Sequence, residues 1–99
     1  MRYEISKQAQ EDLFNIEYYL LKEWNIDVLE DFFEKFKKAI NILLDKKVLF
    51  QKYEDTDFHK LLITKHNSII YSYGEDVLYI HRILQNFQDP EENYKSLEK

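Results

Sequence analysis

Residues 27–45 read DVLEDFFEKFKKAINILLD, and this stretch decides which kind of fold the chain forms. Its apolar residues recur at intervals of three and four, which places them on one face of an α-helix. The members of this stripe are Leu29, Phe32, Phe33, Phe36, Ile40, Leu43 and Leu44. On the opposite face Asp31 precedes Lys35 by four residues, a spacing at which an ion pair supports a solvated helix. We predict a helix that Asp27 caps and that ends near Asp45.

A second apolar stripe precedes this helix. Ser6 belongs to the residue types that favour the N-cap position, and a helix is predicted from Lys7 to about Glu23. Its inward residues are predicted to be Ala9, Leu13, Ile16, Leu20 and Trp24. Because Trp24 ends an apolar stripe, we expect it to plug the core rather than to contact a partner. The short break that follows predicts an antiparallel helical hairpin over about residues 7–45.

The second half of the chain is predicted to be β-rich. Residues 46–57 are polar and irregular, which predicts a loop that four apolar residues attach to the body of the domain, namely Val48, Leu49, Phe50 and Tyr53. Three runs rich in β-branched and aromatic residues follow, at 58–65, 67–73 and 77–84. Their separators, Lys65-His66-Asn67 and Gly74-Glu75-Asp76, suit turns, and Asn67 would supply a left-handed backbone conformation. Residues 58–84 therefore predict an antiparallel meander.

The ends of the chain complete the predicted order of elements. Tyr3–Ile5 predicts a short first strand. Asp89 as N-cap and Pro90 at the first helical position predict a C-terminal helix over about residues 90–97. The order is β-α-α-β-β-β-α, an α+β fold in which the hairpin packs on one face of a small, mainly antiparallel sheet. We expect one domain over residues 1–99, because a chain of this length buries one core.

Composition limits the function classes. The chain has 19 acidic and 14 basic residues and a net charge of −5, which argues against a surface whose main task is to grip a phosphate backbone. It has no cysteine, and its three histidines lack metal-ligand spacing, so we expect neither a metal site nor a cofactor. No apolar run reaches the roughly 20 residues of a membrane span. These features predict a cytoplasmic protein without membrane contact.

Five segments of the chain, taken in order, resemble one protein family. They are residues 6–13 (with SKQA at 6–9 and Asp12-Leu13), 23–25 (EWN), 32–36 (FFEKF), 65–71 (KHNSIIY) and 82–90 (RILQNFQDP). In this order, and over about residues 3–94, the chain resembles the RelE/ParE superfamily of bacterial toxins. The resemblance implies the toxin of a type II toxin–antitoxin system, which inhibits growth, contributes to plasmid stabilization and is neutralised by a cognate antitoxin.

The resemblance leaves two mechanisms open. RelE-type members cut messenger RNA on the ribosome with lysines, arginines and a tyrosine, which supply cations beside the scissile phosphate and an acid or base. When the chains are aligned on Ile69-Ile70-Tyr71, the basic positions of these enzymes fall on His59, Leu61, Ser68 and Gln88, and their tyrosine is matched by Tyr94. ParE-type members bind and inhibit DNA gyrase. The replacement of these basic residues and the acidic net charge favour the ParE-type branch. Enzymatic activity therefore stays open as the less favoured alternative.

Candidate site residues follow for each mechanism. A messenger-RNA endonuclease would use His59, His81, Arg82 and Tyr94, although a histidine on a strand is more often only a partly exposed residue. Contacts to a target or an antitoxin are predicted at Lys60, Lys65, His66, Arg82 and Gln88. Arg82 interrupts an apolar strand, so it must either meet a carboxylate or face the open side of the sheet, and we expect the open side.

A third hypothesis is a non-toxic member that only binds an antitoxin or self-associates. The expected partners are accordingly a cognate antitoxin, DNA gyrase or the ribosome with its messenger RNA, and a second copy of the chain in a homodimer or a toxin–antitoxin hetero-oligomer.

Overall fold

A computed structural model describes residues 1–46 and 48–85 of the chain. The predicted C-terminal helix over residues 90–97 lies outside the described residues, as do Gln88 and Tyr94.

Two helices form the predicted hairpin, α1 over Lys7–Glu23 and α2 over Ile26–Lys46. At the start of α1 the Ser6 hydroxyl accepts a hydrogen bond from the Ala9 N–H at 3.0 Å, as an N-cap does. The prediction that Asp27 caps α2 is wrong. Asn25 caps it instead, because its side-chain oxygen accepts from the Val28 N–H at 3.0 Å, while Asp27 lies in the first turn, where its charge favours the helix dipole.

A five-stranded sheet packs against the hairpin. Its strands are β1 (Arg2–Ile5), β2 (Gln51–Lys52), β3 (His59–Thr64), β4 (Asn67–Tyr73) and β5 (Val77–Gln85). Their spatial order is β1-β5-β4-β3-β2, with β1 parallel to β5 and the other neighbours antiparallel. This confirms the predicted α+β fold. Strand β2 lies in the segment predicted as a loop, and two exposed residues are too few to show an alternating pattern.

The core lies between the helical stripes and the inner face of the sheet. Its helical members include Ile16, Leu20, Phe32, Phe36, Ile40 and Leu43, with Leu13 partly buried against them. From the sheet, Tyr71, Leu78 and Ile80 are fully buried in the same cluster. The cluster therefore joins the hairpin to the two central strands.

Trp24 does not belong to this core, and the expectation that it plugs the core is wrong. Its side chain is 63% exposed. The helix ends at Glu23, and at Trp24 the backbone turns to φ −130° and ψ −120° while its N–H still bonds to the Leu20 carbonyl. The residue therefore leaves the direction of the stripe, and its indole ring lies at the corner of the hairpin.

Two tyrosines, the buried Tyr71 and the partly buried Tyr73, connect the sheet to the end of α2. The Tyr71 hydroxyl donates to the Val48 carbonyl oxygen at 2.8 Å and accepts from the Phe50 N–H at 2.9 Å. The Tyr73 hydroxyl donates to the Leu43 carbonyl oxygen at 2.6 Å, and burial raises the pKa of Tyr73 to about 12. The segment after α2 is thus held by its backbone, while the side chains of Leu49 and Phe50, expected to attach it, are exposed.

Tyr71→Phe tests the role of this hydroxyl. The change keeps the ring in the core but leaves the Phe50 N–H without its acceptor, so we expect the free energy of unfolding to fall by about 1–3 kcal/mol in urea denaturation. Tyr18→Phe, which removes the same atom from an exposed side chain, should cost less than about 0.5 kcal/mol. Equal losses in the two variants would contradict the assignment.

Candidate functional site

The alternation of side chains along β4 and β5 gives the sheet two different faces. Tyr71 pairs with Ile80 and Tyr73 with Leu78, and these four side chains are turned toward the helices. The opposite side, which we call the outer face, carries Lys60, Leu62, Ser68, Ile70, Ser72, Tyr79 and His81. Ser68 and Ile70 are buried on this face, whereas Leu62 and Tyr79 are exposed.

His81 lies on the outer face in an aromatic setting. Its Nε2 is 2.7 Å from the Ser72 hydroxyl oxygen. Its ring stacks on Phe58 with centroids 4.2 Å apart, and the Tyr79 ring lies 6.2 Å away. Burial lowers the pKa of His81, because desolvation disfavours the charged imidazolium. His81 is thus a neutral imidazole that can exchange a proton with the Ser72 hydroxyl. The rings of Phe58 and Tyr79 flank it.

His59, the other catalytic candidate on a strand, lies on the opposite side of the sheet. It pairs with Tyr71, whose ring centroid is 6.0 Å from its own, and so it faces the helices. Its Nδ1 is buried and has no hydrogen-bond partner among residues 1–46 and 48–85. The structure therefore does not bring His59 and His81 together into one site.

Arg82 meets a carboxylate, which is the alternative to the one that we expected. Its Nε donates to Asp12 Oδ2 at 2.8 Å and its Nη2 to Oδ1 at 3.0 Å, in a bidentate pair. Asp12 is 8% exposed, while the Arg82 side chain keeps 46% of its surface in solvent. The pairing of β4 and β5 is irregular beside this residue, where Ile70 pairs with Arg82 but Tyr71 pairs with Ile80. This bulge changes the direction in which Arg82 leaves the strand.

Asp12 also completes the edge of β5. Strand β1 ends at Ile5, opposite Ile80, although β5 continues to Gln85. Beyond that point, Asp12 Oδ2 accepts from the Ile83 N–H at 2.9 Å, and the Ser6 hydroxyl donates to the His81 carbonyl oxygen at 2.8 Å. Burial raises the pKa of Asp12, but the hydrogen bonds from Arg82 and Ile83 outweigh it and hold the pKa below its usual value.

Sequence reasoning missed Asp12, although a signal was present. Asp12 occupies the buried stripe of α1 together with Ala9, Ile16 and Leu20, where an acid needs a partner. Arg82 is a base in an apolar strand and has the same need. Together the two anomalies predict a pair.

A cavity of about 730 Å³ lies at the corner of the hairpin, between the end of α1, the start of α2 and the β3–β4 turn. Its apolar walls include Tyr19, Leu20, Trp24, Val28 and Phe32. Its polar lining consists of Asp31, Lys35, Thr64, Lys65, His66 and Asn67. We call this cavity the corner pocket. It brings together the predicted contact residues Lys65 and His66, whereas Lys60 lies on the outer face.

The β3–β4 turn is ordered by one hydroxyl. Thr64 Oγ1 accepts from the His66 N–H at 3.0 Å and donates to Asn67 Oδ1 at 2.9 Å. The prediction that Asn67 supplies a left-handed turn conformation is wrong. Asn67 begins β4, and Glu54 is the non-glycine residue with positive φ in the part of the chain that the structure describes. Asn67 is 5% exposed, and its Nδ2 has no hydrogen-bond partner within residues 1–46 and 48–85.

Within the described part of the chain, no three His, Cys, Asp or Glu side chains come together in a way that would hold a metal ion. Neither described helix combines the length and the apolar character that crossing a membrane requires.

The lowered pKa of His81 predicts how stability depends on pH. Because the pKa is lower in the folded state than the roughly 6.5 of an unfolded histidine, the contribution of His81 to stability is complete above about pH 6.5 and is lost as the pH falls. The free energy of unfolding, measured in urea between about pH 7.5 and about pH 5.5, should therefore decline with acid. His81→Phe should flatten this decline and His66→Gln should keep it. An unchanged slope in His81→Phe would refute the assignment.

The fold is similar to those of several solved structures. A chain of the chromosomal ParDE TA system from P. aeruginosa superposes with a TM-score of 0.70 at 16% identity, covering 86% of this chain and 95% of that chain. A copper-bound mutant toxin from Helicobacter pylori gives 0.59 at 20% identity, covering 90% and 98%. YafQ from E. coli strain BL21(DE3) gives 0.55 at 13% identity, covering 87% and 93%.

No protein-family model and no curated protein sequence matches the chain. The likeness is therefore one of three-dimensional structure, and it extends over nearly the whole length of each of these chains. The chain has the fold of the RelE/ParE-type toxins.

Proposed function

We propose that the chain is the toxin of a type II toxin–antitoxin pair and that it stops growth by binding a protein target in the cytoplasm, with DNA gyrase as the first candidate. The toxin fold supports the first part of this proposal. The ion pair between Arg82 and Asp12 carries the second part, because it uses a cation that an RNA endonuclease would need.

The positions that align with the basic residues of RelE-type enzymes also argue against RNA cleavage. His59 is turned toward the helices, Leu61 is partly buried in the core, and Ser68 is 0% exposed. Cleavage needs cations beside the scissile phosphate, where charge develops in the transition state. None of these three positions, all within the described residues, places a basic side chain on the outer face beside Lys60.

Capture by an antitoxin is supported by apolar surface on the hairpin. Phe14, Tyr18 and Leu21 are exposed and follow one another at spacings of four and three, so they form a stripe along the solvent side of α1. Trp24 and the corner pocket lie at the end of this helix. An antitoxin segment that orders on binding must bury apolar surface of this kind.

The second candidate is a messenger-RNA endonuclease, which the His81 cluster favours. A neutral imidazole beside the Ser72 hydroxyl, with Phe58 and Tyr79 as flanking rings, could stack a base and move a proton. The two candidates differ in whether growth arrest depends on the His81 imidazole.

Regulated expression of the chain and of His81→Phe separates the candidates. We expect both to arrest growth with signs of DNA damage, because the phenyl ring keeps the stacking on Phe58 and a protein-binding toxin does not need the imidazole. Both purified proteins should inhibit supercoiling by gyrase.

Normal supercoiling at saturating protein would contradict gyrase as the target. Cleavage of messenger RNA on stalled ribosomes by the unmodified chain, lost in His81→Phe, would select the endonuclease. Harmless expression together with tight antitoxin binding would select a non-toxic member.

A further inference from the structure

The corner pocket has the size and the walls of a binding site. Its volume of about 730 Å³ lies within the range of about 300–1,000 Å³ that is usual for ligand pockets. Three separate elements form it, so its shape depends on the fold and not on one flexible loop. Trp24 stands at this pocket with most of its surface in solvent, and tryptophan is one of the residue types that are enriched among the residues that dominate the binding energy of protein interfaces.

Asn67 gives the pocket a directed polar group. Its Oδ1 accepts from the Thr64 hydroxyl, which fixes the orientation of the side-chain amide. The other end of the amide, Nδ2, is a hydrogen-bond donor. That nitrogen is buried, it belongs to a residue that lines the pocket, and it has no hydrogen-bond partner in the described ranges 1–46 and 48–85. Buried donors are almost always paired, so an unpaired one in a pocket indicates where an acceptor from a ligand fits.

The charge of the pocket differs from that of the whole chain. Two lysines, Lys35 and Lys65, and the imidazole of His66 line it, with Asp31 as its one acid. Asp31 is itself paired with Lys35 at 2.9 Å. Because the chain as a whole carries a net charge of −5, an acidic segment is repelled by most of the protein and attracted at this corner.

We propose that the corner pocket is the anchor point for an acidic, amphipathic segment of the antitoxin. The segment inserts one aromatic or large aliphatic side chain beside Trp24, and an adjacent carboxylate accepts from Asn67 Nδ2. The identity of the partner rests on the proposed function; the chemistry of the segment rests on the pocket.

The test uses the full chain and the antitoxin encoded beside it, with any tryptophan of the antitoxin replaced by phenylalanine. Trp24 is the single tryptophan of the chain, so its fluorescence reports on this corner alone. Binding should shift its emission to shorter wavelength, because the exposed indole becomes buried. The same titration gives the dissociation constant.

Three variants test the contacts. Asn67→Asp keeps the acceptor for Thr64 but replaces the Nδ2 donor with a repelling oxygen, and should weaken binding at least about tenfold. Val28→Glu should do the same by filling the pocket with negative charge, and an acid in the first turn of α2 favours the helix. Trp24→Ala, followed by calorimetry, should weaken binding about 30-fold or more.

Matched controls separate the pocket from general effects. Asn41→Asp makes the same change of charge on an exposed part of α2, and Leu49→Ala removes an exposed apolar side chain beyond the far end of that helix. Both should change the dissociation constant by less than about twofold. Equal unfolding midpoints in urea and equal Trp24 emission of the free proteins establish that Asn67→Asp and Val28→Glu are folded.

The outcomes distinguish the two proposals. Tight antitoxin binding that all three pocket variants retain would overturn the anchor point and leave the proposed function intact. Growth arrest without any antitoxin binding would overturn the anchor point, while absence of both would refute the proposed function as well. Without the antitoxin, the Trp24 emission could shift to shorter wavelength as the concentration of the chain rises. This result would assign the pocket to a second copy of the chain and overturn the proposal.

Discussion

The Asp12 carboxylate holds the structure together at the point where the sheet loses its edge strand. Strand β5 continues past the end of β1, and its edge N–H at Ile83 and the guanidinium of Arg82 both find their acceptor on α1. Each hydrogen bond to a buried charge stabilises the fold by about 1.5–3 kcal/mol, whereas an exposed pair such as Asp31–Lys35 contributes at most about 0.5 kcal/mol. With Ser6 bonded to the same strand, the first two turns of α1 replace the missing edge. The hairpin is thereby fixed across the inner face of the sheet.

This constraint links the fold to the chemistry of its surfaces. Because Arg82 is committed to Asp12, the outer face near β5 presents a neutral imidazole and aromatic rings instead of a cation. Two basic side chains, Lys35 and Lys65, line the corner pocket, which we propose as a binding site for a partner. A toxin fold that grips RNA needs cations on its sheet, while one that binds proteins needs apolar surface with directed polar groups. Our proposal of a protein-binding toxin rests on this distribution.

The elements that follow from local pattern were predictable from the sequence. The periods of three and four gave both helices, with α1 at its observed bounds, and the β-rich runs gave β3, β4 and β5 within two residues. Trp24 was assigned to the core because periodicity does not show where a helix ends, and one change of backbone direction moved it into solvent. Asn67 was read as a turn residue because asparagine tolerates positive φ, while its actual role depends on a bond to Thr64 across the turn. The Asp12–Arg82 pair joins residues 70 positions apart, a separation at which no local window contains both.

A double-mutant cycle between Asp12 and Arg82 tests the account most directly. The free energies of unfolding of Asp12→Ala, Arg82→Met and the double variant are measured in urea at neutral pH. The loss of the Ile83 hydrogen bond is common to both Asp12→Ala proteins and cancels, so the cycle isolates the ion pair. We expect a coupling energy of about 1–3 kcal/mol. Additive effects within about 0.5 kcal/mol would contradict the account, because Arg82 would then be available to a phosphate on the open side of the sheet.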